Sequence, residues 1–225
     1  MKWREQLEKD KQQLAELKTT EKKIQFIWDY YKIPIIAVTV VVAILIISAI
    51  SNIGRQNTKM YVVLLNNDSL VSECDETVFN RMLENGGIDM SKSKVDVNKD
   101  LSLGREHNEA ADMETLQVLT ALFSISDLDV YVADKDNFDY FVKEDGFANL
   151  NALLDRNLLE EYKDDLYVYQ DSRGNTVTGG IILHSDSLLH KAGYYHDDVI
   201  IGIVGRAVNL DEAVTFVNEL LRSRN

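Results

Sequence analysis

Residues 128–144 read LDVYVADKDNFDYFVKE, and this stretch decides the fold. Five of its first six residues are apolar or aromatic, which predicts a buried strand over 128–133. Residues 135–144 are polar around Phe138 and Phe141, three apart, and predict a short helix. A strand that passes directly into a helix is the building unit of an α/β domain. The same alternation recurs on both sides of it.

Upstream, MYVVLLNND (60–68) is a nearly continuous apolar run ended by turn formers, as in a buried strand. Ser72 is placed to cap a helix running to about Glu84, with Val78, Phe79, Met82 and Leu83 inward and Gly86 and Gly87 as its stop. SKVDVNKDLSL (93–103) alternates and predicts a second strand. Residues 108–124 place Met113, Leu116, Leu119, Leu122 and Phe123 at spacings of three and four, a helical pattern. Downstream, a loop holds Gly146, and residues 149–165 are helical with a break near Asn157. Residues 166–170 and 177–184 predict two strands joined by the turn DSRGN. A last strand at 199–204 leads, with Asn209 or Asp211 as cap, into a helix over 212–222. The expected fold is therefore α/β, a three-layer open sheet of about five to six strands. There is no internal repeat and no low-complexity tract.

Ahead of this domain stands IPIIAVTVVVAILIISAISNIG, residues 33–54, bounded by Lys32 and Arg55 and free of ionisable side chains. About 20 apolar residues of helix cross a hydrocarbon core roughly 30 Å thick, so the run predicts one transmembrane helix. Its many Ile and Val would favour strand in water. In lipid, however, a lone strand leaves its backbone groups unpaired. Pro34 sits at the start, where a missing N–H costs least. Trp28, Tyr30 and Tyr31 precede it as an interfacial aromatic belt, with Lys32 and Arg55 at its ends. The run exceeds the h-region of a cleaved signal peptide and no small-x-small site follows, so a retained signal anchor is expected. The expected division is a cytoplasmic helical arm over 1–32, the span over 33–54, a linker over 55–59 and an extracytoplasmic domain over 60–225. The arm is rich in Lys, Glu, Gln and Leu and reads as a long solvated helix.

The net charge is −13. Residues 1–32 hold eight Lys/Arg and six Asp/Glu, a net of +2, which leaves −15 on the rest. Basic residues stay on the cytoplasmic side, so the N-terminus is expected inside and the acidic domain outside the cell. An acidic domain argues against nucleic acid as a partner. Cys74 is the only cysteine, so no intramolecular disulfide can form.

Chemistry-bearing motifs are sparse. His184, His190 and His196 repeat every six residues, which does not pre-organise two ligands as zinc sites usually do, so they read as surface histidines. Cys74, between Glu73 and Asp75, lacks the basic neighbours that stabilise a thiolate. No G-x-S-x-G, P-loop or Rossmann fingerprint is present. The sequence therefore points to no catalytic residue, no metal and no cofactor. One polar cluster carries weight: Asn66, Asn67 and Asp68 close the first strand and Asp127 opens the third. Ligands of open α/β sheets gather at the carboxyl ends of strands; only the first three sit at such an end, and these four together are the candidate ligand residues.

The stretch 116–150, LQVLTALFSISDLDVYVADKDNFDYFVKEDGFANL, resembles the type 2 periplasmic-binding-protein-like fold of extracellular solute-binding proteins. The shared elements are a helix leading into the strand at Ser126–Val130, a short helix around Phe138–Phe141, and a G-f-x-x-L segment at Gly146–Leu150. The ending VIIGIVGRAVNLDEAVTFVNELL is similar to that family's closing strand and helix. The passage FIWDYYKIPII into the span is similar to uncharacterised single-pass membrane proteins of Gram-positive bacteria. Family members insert a second lobe before the closing elements, whereas here 14 residues separate His184 from Val199. The resemblance implies a domain reduced to about one lobe, without the clamshell that encloses a solute.

These readings converge on a bacterial single-pass membrane protein whose outer domain is a non-catalytic protein-interaction module, an accessory subunit of an envelope or transport assembly. Its partners would be the bilayer, through residues 33–54, and a membrane or envelope protein. The alternative reading is a tethered receptor for a small solute.

Overall fold

A computed structural model describes residues 57–68, 77–104 and 109–224. They belong to a compact unit that begins at Gln56. The expected arm, span, Trp28, Tyr30, Tyr31, Lys32, Arg55, Ser72 and Cys74 lie outside the described residues. Among the described residues no helix is long and apolar enough to cross a membrane.

Six strands form one mixed sheet: β1 (Asn57–Leu64), β2 (Ser93–Asn98), β3 (Val130–Ala133), β4 (Leu166–Gln170), β5 (Thr176–Leu183) and β6 (Val199–Ile203). Their order is β2-β1-β3-β6-β5-β4. β1 runs parallel to β2 and β3, while β6 is antiparallel to both β3 and β5, and β4 to β5. The helices are α1 (Thr77–Asn85), α2 (Glu109–Ile125), α3 (Lys135–Val142), α4 (Arg156–Glu161), α5 (Leu188–Lys191) and α6 (Leu210–Arg222), with a 3₁₀ turn at Leu150–Ala152. The α/β class and six strands agree with the sequence reading. The second strand is shorter than expected and ends at Asn98. Within 149–165 the helix breaks at residues 153–155 rather than near Asn157, because the side chains of Asn149 and Asp155 each accept the N–H two residues on and start separate turns.

Alternation within the strands builds two cores, one on each sheet face. Met60, Val62 and Leu64 of β1, Val130 and Val132 of β3, and Val199, Ile201 and Ile203 of β6 face α1, α4, α5 and α6. Val63, Leu65, Tyr131, Ala133, Ile200 and Val204 face the opposite way, toward α2 and α3. The second core is built from aromatic rings. Phe138 stacks on Phe147 with centroids 4.0 Å apart, and Phe123 on Phe141 at 4.1 Å, with Tyr131 edge-on to Phe123 and Phe141. Room for the first pair comes from Gly180 and Gly202. A Cβ on Gly202 would lie 2.8 Å from Phe138 Cζ and Phe147 Cδ1, and one on Gly180 would lie 2.9 Å from Phe138 Cζ. Gly202 and Gly180 thus seat the Phe138–Phe147 pair against the sheet.

Asp129 is fully buried where β3 begins. Its carboxylate accepts the Tyr61 N–H (2.9 Å), the Asn209 N–H (3.0 Å) and Asn209 Nδ2 (3.0 Å). Three donors satisfy the buried carboxylate and fix the entry to α6. Asn209 is the N-cap, as expected, but its side chain serves Asp129 and makes no cap bond.

Candidate functional site

Asn66 lies just past β1 in the left-handed region, φ 55°, which Asn tolerates better than most residues. It is buried, and its amide is fully engaged. Nδ2 donates to the Leu103 carbonyl (2.9 Å) and Asp134 Oδ2 (3.0 Å), and Oδ1 accepts the Leu103 N–H (2.8 Å). Asp134 also caps α3 through Asn137 (3.1 Å). Burial pushes the Asp134 carboxyl up, but its bonds from Asn137 and Asn66 outweigh that and hold it below the ordinary carboxylate value. Asn67 Nδ2 donates to the carbonyls of Leu64 (3.2 Å) and Lys99. Asp68 lies 2.5 Å from His196 Nδ1, and its N–H donates to the Tyr194 carbonyl (3.0 Å). The three expected ligand residues are thus stitched into the scaffold.

Asp127 does not join them. β3 is parallel to β1, with Val130 beside Val62, so the start of β3 falls toward the amino end of β1. Asp127 there lines a separate cleft with Thr58, Tyr61, Ser126 and Asn209. A strand's first residue and the last residues of its parallel neighbour occupy opposite edges of the sheet. The structure thus separates Asp127 from Asn66, Asn67 and Asp68.

The histidines are individually committed. His184 lies between two carboxylates, Nε2 3.0 Å from Asp165 and Nδ1 2.9 Å from Asp198. The bond to Asp198 raises its pKa above the ordinary value, Asp165 adds to this and burial opposes it. Arg224 pairs with Asp186 and, at 3.3 Å, with Asp165, and its guanidinium lies over the Tyr162 ring at 5.1 Å. His190 bonds Ser187 Oγ (2.7 Å) and the Asp197 carbonyl (2.8 Å). No group of three or more His, Cys, Asp or Glu among the described residues is arranged to hold a metal ion.

What remains open is the outer side of α2. Only Thr115 and Leu119 of its 17 residues are buried. Met113, part of the helical spacing, is 58% exposed, with Val118 at 39% and Ile125 at 61%. Clefts flank the helix on both sides. One holds Leu122 and the exposed Val208. The other is a shallow groove along Met113, Leu116 and Thr120 that ends at the exposed Tyr140. That groove continues past Thr120, Ser124 and Tyr140 into a deeper cleft of about 630 Å³ floored by Phe123, Phe141 and Gly146 and bordered by Arg173 and Arg206. Five of the seven large exposed apolar residues among those described therefore belong to α2 or line the clefts beside it. The sequence held a signal for this: residues 109–125 carry apolar residues beyond one helical stripe, with Val118 and Ile125 off the Leu119–Leu122 face.

No protein-family model, no curated protein and no solved structure matches the chain.

Proposed function

We propose that this chain is a membrane-anchored, non-catalytic interaction module, an accessory subunit of an envelope or transport assembly, whose acidic domain lies outside the cell and docks through α2. The exposed Met113 on one flank of α2, Val118 and Ile125 on the other, and the clefts beside them carry this reading. The apolar run at 33–54 supports the anchor. The strand–helix segment at 126–150 and the short link between β5 and β6 support a domain resembling one lobe of a solute-binding protein. A solute receptor at Asn66–Asp68 is the weaker reading, because those side chains already hold their own loops.

A photo-crosslinking residue placed at Val118 or Ile125 of the full chain in cells tests this. A discrete adduct with another envelope protein is expected from these positions and not from Asp211 on α6. Equal or absent adducts at both places would overturn the reading.

A further inference from the structure

We propose that the sheet edge at the amino end of β1 rests on the bilayer surface, with Val208, Leu210 and Ile125 among the lipid headgroups. This rests on the anchor in the reading above and adds a lipid contact to it.

The apolar run ends at Gly54, and β1 begins at Asn57, inside the linker expected over 55–59. Three chain positions span at most about 11 Å, and the headgroup layer is roughly 5–7 Å thick on each side. A run that crosses the bilayer therefore delivers β1 to its surface. Strand direction decides what arrives with it. β2 and β3 run parallel to β1, β6 is antiparallel to β3, and β5 is antiparallel to β6. The β6–α6 loop, the α2–β3 loop and the β4–β5 turn thus lie at the same edge as Asn57.

This edge carries apolar side chains that the domain leaves unburied. Val208, at 71%, is the most exposed large apolar residue among those described, Ile125 follows at 61%, and Leu210 is exposed at 36%. The loops of the opposite edge, residues 65–68, 98–104, 163–165 and 184–198, hold none of the seven. Val208 is also fixed beside the start of β1. Its neighbour Asn209 donates to Asp129, which accepts the Tyr61 N–H as well, and Val208 lines one cleft with Thr58 and Tyr61. Ile125 ends α2 one residue before Ser126, whose φ of 64° turns the chain toward β3. Charge does not select this edge: Arg173 and Arg206 stand near Glu144 and Asp145, Asp96 and Asp127 line the cleft beside Val208, and Lys59 pairs with Glu212 at 3.6 Å. The contact is therefore apolar. A tether this short holds its target at an effective concentration on the order of millimolar, so a few side chains suffice.

The test uses the full chain with Cys74→Ser, reconstituted in phosphatidylcholine vesicles, carrying a nitroxide on Val208→Cys or Ile125→Cys. Asp100→Cys and Asp197→Cys place the same label at the opposite edge. Collision with oxygen, which concentrates in lipid, relative to a water-soluble nickel chelate should be at least about threefold higher at 208 and 125 than at 100 and 197. With the label at 125, Val208→Asp combined with Leu210→Asp should lower that ratio at least about twofold; both residues are exposed, so the fold is kept. Equal ratios at all four positions, in chains that stay with the vesicles through an alkaline wash, would overturn the proposal and leave the anchor standing. Chains stripped off by that wash would defeat the anchor reading, and the proposal with it. A contrast that arises only when phosphatidylglycerol is added would overturn the apolar contact.

Discussion

α6 and α2 cover opposite faces of the same sheet, and they are finished differently. α6 buries Ala213, Phe216, Val217, Leu220 and Leu221 within 13 residues, and Phe216 stacks on Phe79 of α1 with centroids 5.7 Å apart. α2 is longer, at 17 residues, yet buries two. Beneath α2 the core is nonetheless dense, with stacked rings seated on glycines. The contrast therefore concerns the outer surface of α2, since the interior it covers is well packed. One face is sealed by its own chain, and the other carries apolar residues that its own core does not require.

The sharpest way to break this contrast is to substitute one residue on each face. Phe216→Ala should cost about 3–5 kcal/mol in denaturant unfolding, since it empties a buried ring site. Gly202→Ala should cost about 1–3 kcal/mol by driving a methyl group into Phe138 and Phe147, which would show that the core under α2 is as tight as the other. Tyr131→Phe should be neutral or stabilise by about 1 kcal/mol, because its hydroxyl is buried without a hydrogen-bond partner among the described residues. His184 belongs to the sealed side and offers a smaller, pH-dependent effect. Its folded pKa is raised, so its contribution is full below about pH 6.5 and fades as pH rises through the folded value. The stability gap between the parent and His184→Gln, measured across pH 5–9, should therefore narrow toward high pH; a gap that widens would refute the Asp198–His184–Asp165 arrangement. Smallest of all, Val118→Ser and Ile125→Ser should each change stability by no more than about 0.5 kcal/mol. A loss comparable to that of Phe216→Ala would mean that α2 is sealed after all.

Strands and helices were legible because their apolar runs and spacings are local: 128–133, 166–170 and 199–204 each lie within a few residues of an observed strand. Strand order was not legible. VIIGI of β6 is buried on both faces, a pattern that any central strand shows, and nothing local records its insertion between β3 and β5. The polar cluster at Asn66–Asp68 was visible, but its use was not, since Leu103, Asp134 and His196 come from far along the chain. The burial of Asp129, two positions after Asp127 in DLDV, was not legible either, since its donors Tyr61 and Asn209 come from far along the chain. Arg173 and Arg206 carried no signal, because two loops 33 positions apart (206 − 173) bring them to one cleft.

The position of β6 also bears on the order in which the domain can be completed. β1, β2 and β3 are made first and the β4–β5 hairpin later, but the strand that bonds the two groups together is the last of the six. During synthesis the chain carries two part-sheets with open edges, at β3 and at β5, until residues 199–203 are available to both. A chain stopped at residue 198 would lack the joint as well as α6. It should therefore be recovered as aggregate or cleared by proteases, with no stable N-terminal fragment.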